Sequence, residues 1–452
     1  MQALIKKYNV PGPRYTSYPT VPFWKNNPLN LNEWQQTLAA NQDFFQSNEI
    51  SLYIHLPFCE SLCTFCGCHK RITKNHAIEL PYLESVIKEW NLYLQMLSFK
   101  PIIKELHLGG GTPTFFSAEH LRYLLEALFQ SNAMDPKEAE LSIEAHPNFT
   151  NETQLEQLYQ FGFRRISFGI QDYSETVQKA IHRIQTFEQV NAIHQKSKAI
   201  GYESISHDLV YGLPKQTLED VKDTVEKTLL LKPDRISLYS YAHVPWIKGN
   251  GQRGYDESDL PQNEEKRALY EYAKARLEAE NYLEIGMDHF ALPHDPLYKA
   301  FQQKNLHRNF MGYTLQNTKL MIGLGMSAIS DSWFGFAQND KSVESYMETI
   351  EKGELAIFRG HVLDQTDLII RQHILDLMCH FETLLEDQLS ATIQHDILQQ
   401  LAEPLKDELI TIEGRKITVT PKGIPFVRNI CMAFDQDLKT LDQSTPLFSK
   451  TI

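Results

Sequence analysis

From about residue 51 the chain alternates short β-rich runs with longer amphipathic stretches, and this alternation constrains its fold more than any other feature. The candidate strands are SLYIHLPF (51–58), ELHLGGG (105–111), LSIEAHP (141–147), RISFGIQ (165–171), HDLVYGLP (207–214) and RISLYSYAH (235–243). Between them lie helical patterns such as those at 80–97 and 217–231. Repeated βα units predict an α/β fold with a parallel sheet. Right-handed crossovers with six units fit a barrel or partial barrel, a doubly wound sheet is the alternative, and periodicity does not choose between them. Polar residues and glycines collect at the strand C-terminal ends: Cys59 onward, Gly109–Thr112, Glu144, Gln171 and Tyr241–His243. Sites form at those ends in barrels and open sheets alike.

The flanks differ in character. Residues 1–50 contain PGPRYTSYPTVPFW, too proline-rich for regular structure, and are expected to lie across the body as an arm. The body then runs over 51–344, with a less clear pattern from Tyr282 to Asn339. The remainder, 345–452, reads as a separate helical and winged domain, with a small hairpin in ELITIEGRKITVTPKG (408–423) turning at Glu413–Gly414.

Charge and cysteine usage exclude several classes. The net charge of −13 argues against non-specific binding to nucleic acid or to an anionic membrane. An anionic substrate would need basic residues to converge locally against that field. The opening MQALIKKYNVPGPRY lacks the apolar stretch of a signal peptide, and no run approaches the roughly 18 apolar residues of a membrane helix. Four of the six cysteines fall at 59–68, a metal framework rather than a disulfide one. A reducing, cytoplasmic setting is expected.

The key segment is HLPFCESLCTFCGCHKRIT. Cys59, Cys63 and Cys66 are spaced C-x3-C-x2-C, and thiolates suit zinc or iron–sulfur sites. Three thiolates on one loop can hold three corners of a 4Fe–4S cube and leave the fourth iron open. Spacing leaves Cys68 as a possible fourth ligand. A zinc-stabilised binding module is the competing class; it would need a second matched ligand pair, and no other C-x2-C exists. Cys379 and Cys431 are isolated.

C-x3-C-x2-C after a first strand resembles the radical S-adenosylmethionine (SAM) superfamily. The ordered set PRYTSYPT (13–20), CGC (66–68), HLGGGTPT (107–114), SFGIQD (167–172), DLVYGLPKQT (208–217), YAHVP (241–245), GMDHFA (286–291), HRNFMGYT (307–314) and RNICM (428–432) is similar to the oxygen-independent coproporphyrinogen III oxidase family. That resemblance implies a partial (β/α)6 barrel, a 4Fe–4S cluster and SAM. It also implies oxidative decarboxylation of two propionates of coproporphyrinogen III to vinyl groups by a 5′-deoxyadenosyl radical. Cys59, Cys63 and Cys66 would bind the cluster, with Cys68 a nearby non-ligand that activity needs. Tyr53 would pack against SAM; Gly110, Gly111 and Thr112 would receive its methionine amino end. Glu144, Gln171, Arg183 and Asp208 would hold its amino-acid and ribose groups, and Ala242 would touch the adenine. A second SAM would lie near GMDHF and Ile329.

The implied substrate carries four propionates and needs cationic anchors, for which Arg14, His307 and Arg308 are the candidates. His55 is expected under the cluster loop and His289 near the second cofactor, whereas Arg164, Arg165 and His182 read as surface or cap charges. His146 and His207 depart from the family pattern, in which an acidic and an apolar residue are usual. The resemblance suggests a monomer, with an unidentified electron donor and acceptor. Related haem-binding chaperones share the barrel but lack the PRYTSYPT arm and the CGC cysteine; both are present here.

Overall fold

A computed structural model of the chain describes residues 2–130, 138–245, 251–440 and 447–451. Six parallel strands form its centre: β1 (Glu49–Leu56), β2 (Ile102–Gly110), β3 (Glu140–Ala145), β4 (Arg165–Gln171), β5 (Ser204–Tyr211) and β6 (Arg235–Ser240). They pair in chain order, as repeated βα units require. The sheet then continues at both ends. Past β6 come β7 (Leu283–Gly286) and β8 (His289–Ala291), with β8 antiparallel to β6. Past β1 come β9 (Met321–Leu324), β10 (Ile329–Asp331), β11 (Gly335–Asn339) and β12 (Ile357–Val362). The order of this 12-stranded sheet is β12-β11-β10-β9-β1-β2-β3-β4-β5-β6-β8-β7. The parallel strands run in chain order without the reversal of a doubly wound sheet, and the described strands do not close, so the architecture is the partial barrel.

Period-two alternation gives the sheet two unlike faces. In β4, Ile166, Phe168 and Ile170 are buried, while Arg165, Ser167, Gly169 and Gln171 look the other way and are half-buried. The apolar face is covered by helices such as Ala118–Gln130, which buries Leu121, Leu124, Leu125 and Leu128 at helical spacing. Reciprocal caps start several of these helices: Asn151 with Gln154, Thr186 with Gln189, and Thr217 with Asp220. The polar face remains open and concave.

A second core joins the helices Gln365–His380, Ala391–Lys406 and Val427–Met432 to a small sheet of β13 (Glu382–Leu384), β14 (Ile410–Glu413) and β15 (Lys416–Val419). Strands β14 and β15 form the expected hairpin about Gly414. The helix Val343–Glu351 and β12 belong instead to the large sheet, whose core takes in Tyr346, Ile350 and Ala356. The sheet's layer therefore runs past the boundary expected at 345. The arm crosses both cores: Tyr8, Tyr15 and Tyr18 enter the second, Leu29, Trp34 and Leu38 the first. Arg428 fastens it, donating to the carbonyls of Pro13 (2.9 Å), Gly12 (2.6 Å) and Thr451 (3.1 Å). No described helix is long and apolar enough to cross a membrane.

Candidate functional site

A cavity of about 590 Å³ opens at the C-terminal ends of the parallel strands. Cys59, Cys63, Cys66 and Cys68 line it, as do Gly110, Gly111, Thr112, Glu144, Gln171, Arg183, Asp208, Ala242 and Arg14. One face of one sheet thus gathers residues spread from the arm to the end of β6.

The cysteine loop is held from several sides. Its entry, Phe58–Cys59, pairs in parallel with Arg71–Ile72. The Thr64 N–H donates to the Ile181 carbonyl (2.9 Å) and the Cys66 N–H to that of Cys63 (3.2 Å). Below it, His55 is buried, with Nε2 2.9 Å from the His69 carbonyl oxygen, which is the placement expected for it. Cations crowd the sulfurs. Lys70 Nζ donates to the carbonyls of Cys66 (3.0 Å) and Cys68 (3.3 Å), and Arg183 Nη1 lies 3.6 Å from Cys63 Sγ. The hydrogen bond from Cys68, helped by Lys70, pulls the Cys66 thiol down to about 6; the same bond pushes Cys68 well up. Burial raises Cys59 to about 11, partly offset by Thr112, whose Oγ1 is 3.3 Å from its Sγ. Positive charge beside thiols favours the thiolates that ligate metal.

Does this donor set fit the implied cluster? Three soft thiols and a cationic rim on a cavity of this size fit a multi-iron group. Among the described residues no three His, Cys, Asp or Glu side chains converge as ligands of one metal ion. A cube sets its thiolates farther apart than a single ion does.

Beside the loop, the backbone edge at Gly110 and Gly111 carries no side chains. Gly110 has φ +118°, a left-handed conformation, and a Cβ on Gly111 would lie 2.5 Å from the Pro57 carbonyl oxygen. Glu144 accepts from the Gly110 N–H (3.2 Å), and its Oε1 is 3.4 Å from His107 Nε2. Burial pushes this carboxyl up; His107 and the Gly110 N–H more than offset that and leave it below its ordinary value. Tyr53 stacks on His107 and borders Gly109 without lining the cavity. Farther round, Asp208 accepts from Ser167 Oγ (2.8 Å), and burial raises its carboxyl to about 6. Gly169 clears space for two neighbours, since its Cβ would lie 2.8 Å from both Arg183 Nη2 and Gln171 Nε2. Among the described residues Arg183 Nε is buried without a hydrogen-bond partner. Two carboxylates, an orphaned guanidinium N–H and bare backbone are complementary to a zwitterionic amino-acid ligand.

Other expected residues lie elsewhere. Arg14 stands at the cavity edge but pairs with Asp288 (2.9 Å). His307 and Arg308 line a smaller cavity of about 60 Å³ with Lys319, Arg371 and Asp376. Arg308 is covered by the arm, donating weakly to the Arg14 and Tyr15 carbonyls (3.4 Å each). His307 and Arg308 therefore lie in a cavity apart from the one that the cysteines line. Ile329, on β10, packs with Trp24, Phe310 and Phe336 and lies outside the main cavity. His289 faces Tyr239 and Tyr313 on the concave side. Arg165, expected at the surface, is a half-buried ion-pair partner of Glu140. Ser167, Gly169, Lys70 and His107 were not singled out by sequence, although period-two alternation in RISFGIQ and ELHLGGG puts Ser167, Gly169 and His107 on the site's face.

Comparisons with known proteins agree with this geometry. The Radical SAM superfamily model matches residues 53–228, from Tyr53 through β5. Oxygen-independent coproporphyrinogen III oxidase of Pseudomonas aeruginosa is 37% identical over 99% of this chain and 98% of its own length. That of Escherichia coli is 38% identical over 97% of this chain and 95% of its own. The solved structure of coproporphyrinogen III oxidase from Escherichia coli, described as a radical SAM enzyme, superposes with a TM-score of 0.89 at 35% identity, covering 97% of this chain and 99% of that one. With its cysteine loop, glycine edge and full-length likeness to these relatives, this chain belongs to the oxygen-independent coproporphyrinogen III oxidase family of the radical SAM superfamily.

Proposed function

We infer that this chain converts coproporphyrinogen III to protoporphyrinogen IX without oxygen, turning two propionates into vinyl groups with loss of carbon dioxide, in haem biosynthesis. The observation that carries this reading is the convergence of the cysteines, the glycine edge and two carboxylates on one cavity, in a chain that matches relatives named for that reaction from end to end. The 4Fe–4S cluster and SAM, when bound, supply the adenosyl radical that such a hydrogen abstraction needs.

The residues then divide the work. Cys59, Cys63 and Cys66 would hold the cluster; Cys68, hydrogen-bonded to Cys66, would tune that thiolate rather than ligate. Lys70 and Arg183 balance the negative charge of the sulfurs. Gly110, Gly111 and Thr112 would let the amino-acid end of SAM meet backbone, and Glu144 would accept from its ammonium. Asp208, held by Ser167, and Gln171 would take the ribose, with the backbone at Ala242 against the adenine. Tyr53 backs the methionine side. Arg14, loosened from Asp288, meets a substrate propionate at the cavity edge. Each vinyl requires one hydrogen abstraction, so two SAM equivalents are consumed; the concave wall toward Ile329 is our choice for the second. The chain acts as a cytoplasmic monomer with a separate electron donor and acceptor. Anaerobic incubation with coproporphyrinogen III, SAM and a reductant tests this: protoporphyrinogen forms. Stoichiometric haem binding without conversion would assign the haem-chaperone reading instead.

A further inference from the structure

Lys341 and Arg359 stand against the same aromatic ring, and among the described residues neither has a carboxylate within ion-pair distance. The Arg359 guanidinium lies over the rings of Trp24 (5.6 Å) and Phe358 (5.3 Å), and its Nε donates to Gln338 Oε1 (2.8 Å). Lys341 Nζ stands 5.4 Å from the same Phe358 ring. The nearby acids are already engaged. Asp340 accepts from the Ser342 N–H (2.9 Å) and Ser345 Oγ (2.7 Å), and Glu344 pairs with Arg71 (2.8 Å).

Sheet register places Arg359 on the concave face. Tyr53 on β1 is level with Gly323 on β9, and a Cβ on Gly323 would strike the Ile329 backbone. Ile329 on β10 is level with Gln338 on β11, and Gln338 with Arg359 on β12. Directly paired residues share a face, so this row carries Arg359 onto the side that bears Tyr53. Four strand spacings separate them, roughly 19 Å at ~4.8 Å each. The Arg71–Glu344 pair ties the exit of the cysteine loop to the turn beside Lys341, and Lys70 on that exit lines the main cavity. Desolvation of its ring, then the charges of Lys341, His55, Arg359 and Lys70, push His69 down to about 4. An unneutralised positive field of this kind calls for an anion.

We propose that Lys341 and Arg359 bind a ligand carboxylate at the far end of the concave face, next to the apolar wall of Phe358, Trp24 and Ile329. Such a carboxylate has two sources in the proposed reaction: a propionate of the tetrapyrrole, or the amino-acid end of a second SAM. A rigid guanidinium between aromatic rings suits a small, partly apolar anion better than the mobile acidic rim of a protein partner. This inference rests on the function proposed above.

The test uses the full chain, reconstituted with its cluster under anaerobic conditions, as wild type, Lys341→Ala, Arg359→Gln and the double variant. Coproporphyrin III binding is followed by fluorescence and SAM binding by equilibrium dialysis. Each lost cation weakens the affected ligand by roughly ten-fold. Loss confined to coproporphyrin identifies the propionate, and loss confined to one class of SAM site identifies the second SAM; either supports the anchor. Lys341 is exposed, so its variant remains informative if Arg359→Gln fails to fold. Unchanged affinity for both ligands in Lys341→Ala, with coproporphyrinogen still converted, would overturn the anchor and leave the proposed reaction standing. Failure of the wild type to bind coproporphyrin would overturn both.

Discussion

Gly111→Ala probes the tightest backbone contact beside the cysteine loop. An added Cβ would lie 2.5 Å from the Pro57 oxygen, 2.6 Å from the Pro57 carbonyl carbon and 3.0 Å from the Phe58 oxygen. All three atoms are backbone, so no side chain can swing away. They also lead directly into Cys59. Relief requires one strand end to move by several tenths of an ångström, and overpacking of this kind costs about 1–3 kcal/mol. The movement also separates Cys59 Sγ from Thr112 Oγ1, now 3.3 Å apart. Gly67→Ala is the matched control: it lies in the same loop, and its Cβ would meet nothing within 4 Å. Thermal unfolding of the cluster-free proteins should show a Tm lowered by a few degrees for Gly111→Ala and unchanged for Gly67→Ala. Reconstituted Gly111→Ala should also bind SAM more weakly, because the displaced edge is the one proposed to meet its amino-acid end. Equal Tm values, with SAM affinity intact, would refute the argument from close approach.

Three further outcomes are expected. Glu89 is fully buried, accepts from Tyr346, Asn339 and the Gly325 N–H, and is raised by burial to about 7. Because its folded pKa exceeds its unfolded one, its contribution to stability is complete below about pH 4.5 and is lost as pH rises through about 7, at most about 3 kcal/mol. Glu89→Gln should therefore flatten the fall in urea midpoint between about pH 5 and about pH 8, and an unaltered slope would contradict this. Arg428→Met leaves three carbonyls of the chain ends without their charged donor, so stability should drop by about 2–4 kcal/mol and limited proteolysis should cut within residues 9–20; an uncut arm would count against the strap. Cys68→Ala should retain the iron and sulfide content of the wild type and lose turnover, whereas Cys66→Ala should lose the cluster; cluster loss in Cys68→Ala would make it a ligand.

Much of the site was legible because its chemistry is local in sequence. The cysteine spacing, the GGGT edge and the polar ends of six strands each declare themselves within ten residues, and period-two alternation then faces them inward. The extension of the sheet through β9–β12 was not legible. Its strands are three to six residues long, mostly antiparallel and interrupted by glycines, so no periodic signal accumulates between Tyr282 and Asn339. Long-range polar ties were equally hidden. Nothing near Arg428 in the chain announces that its partners are Gly12, Pro13 and Thr451, and nothing near Arg14 names Asp288. Arg308 shows the converse. Its motif invites a functional reading, yet its guanidinium is covered by the arm.

Mössbauer spectroscopy of the anaerobically reconstituted protein, before and after SAM is added, tests the central claim most directly. Three cysteine ligands predict a 4Fe–4S cube with one iron distinct from the rest, whose signal changes when SAM arrives. A protein that assembles no cube, or a cube whose irons ignore SAM, would contradict the account.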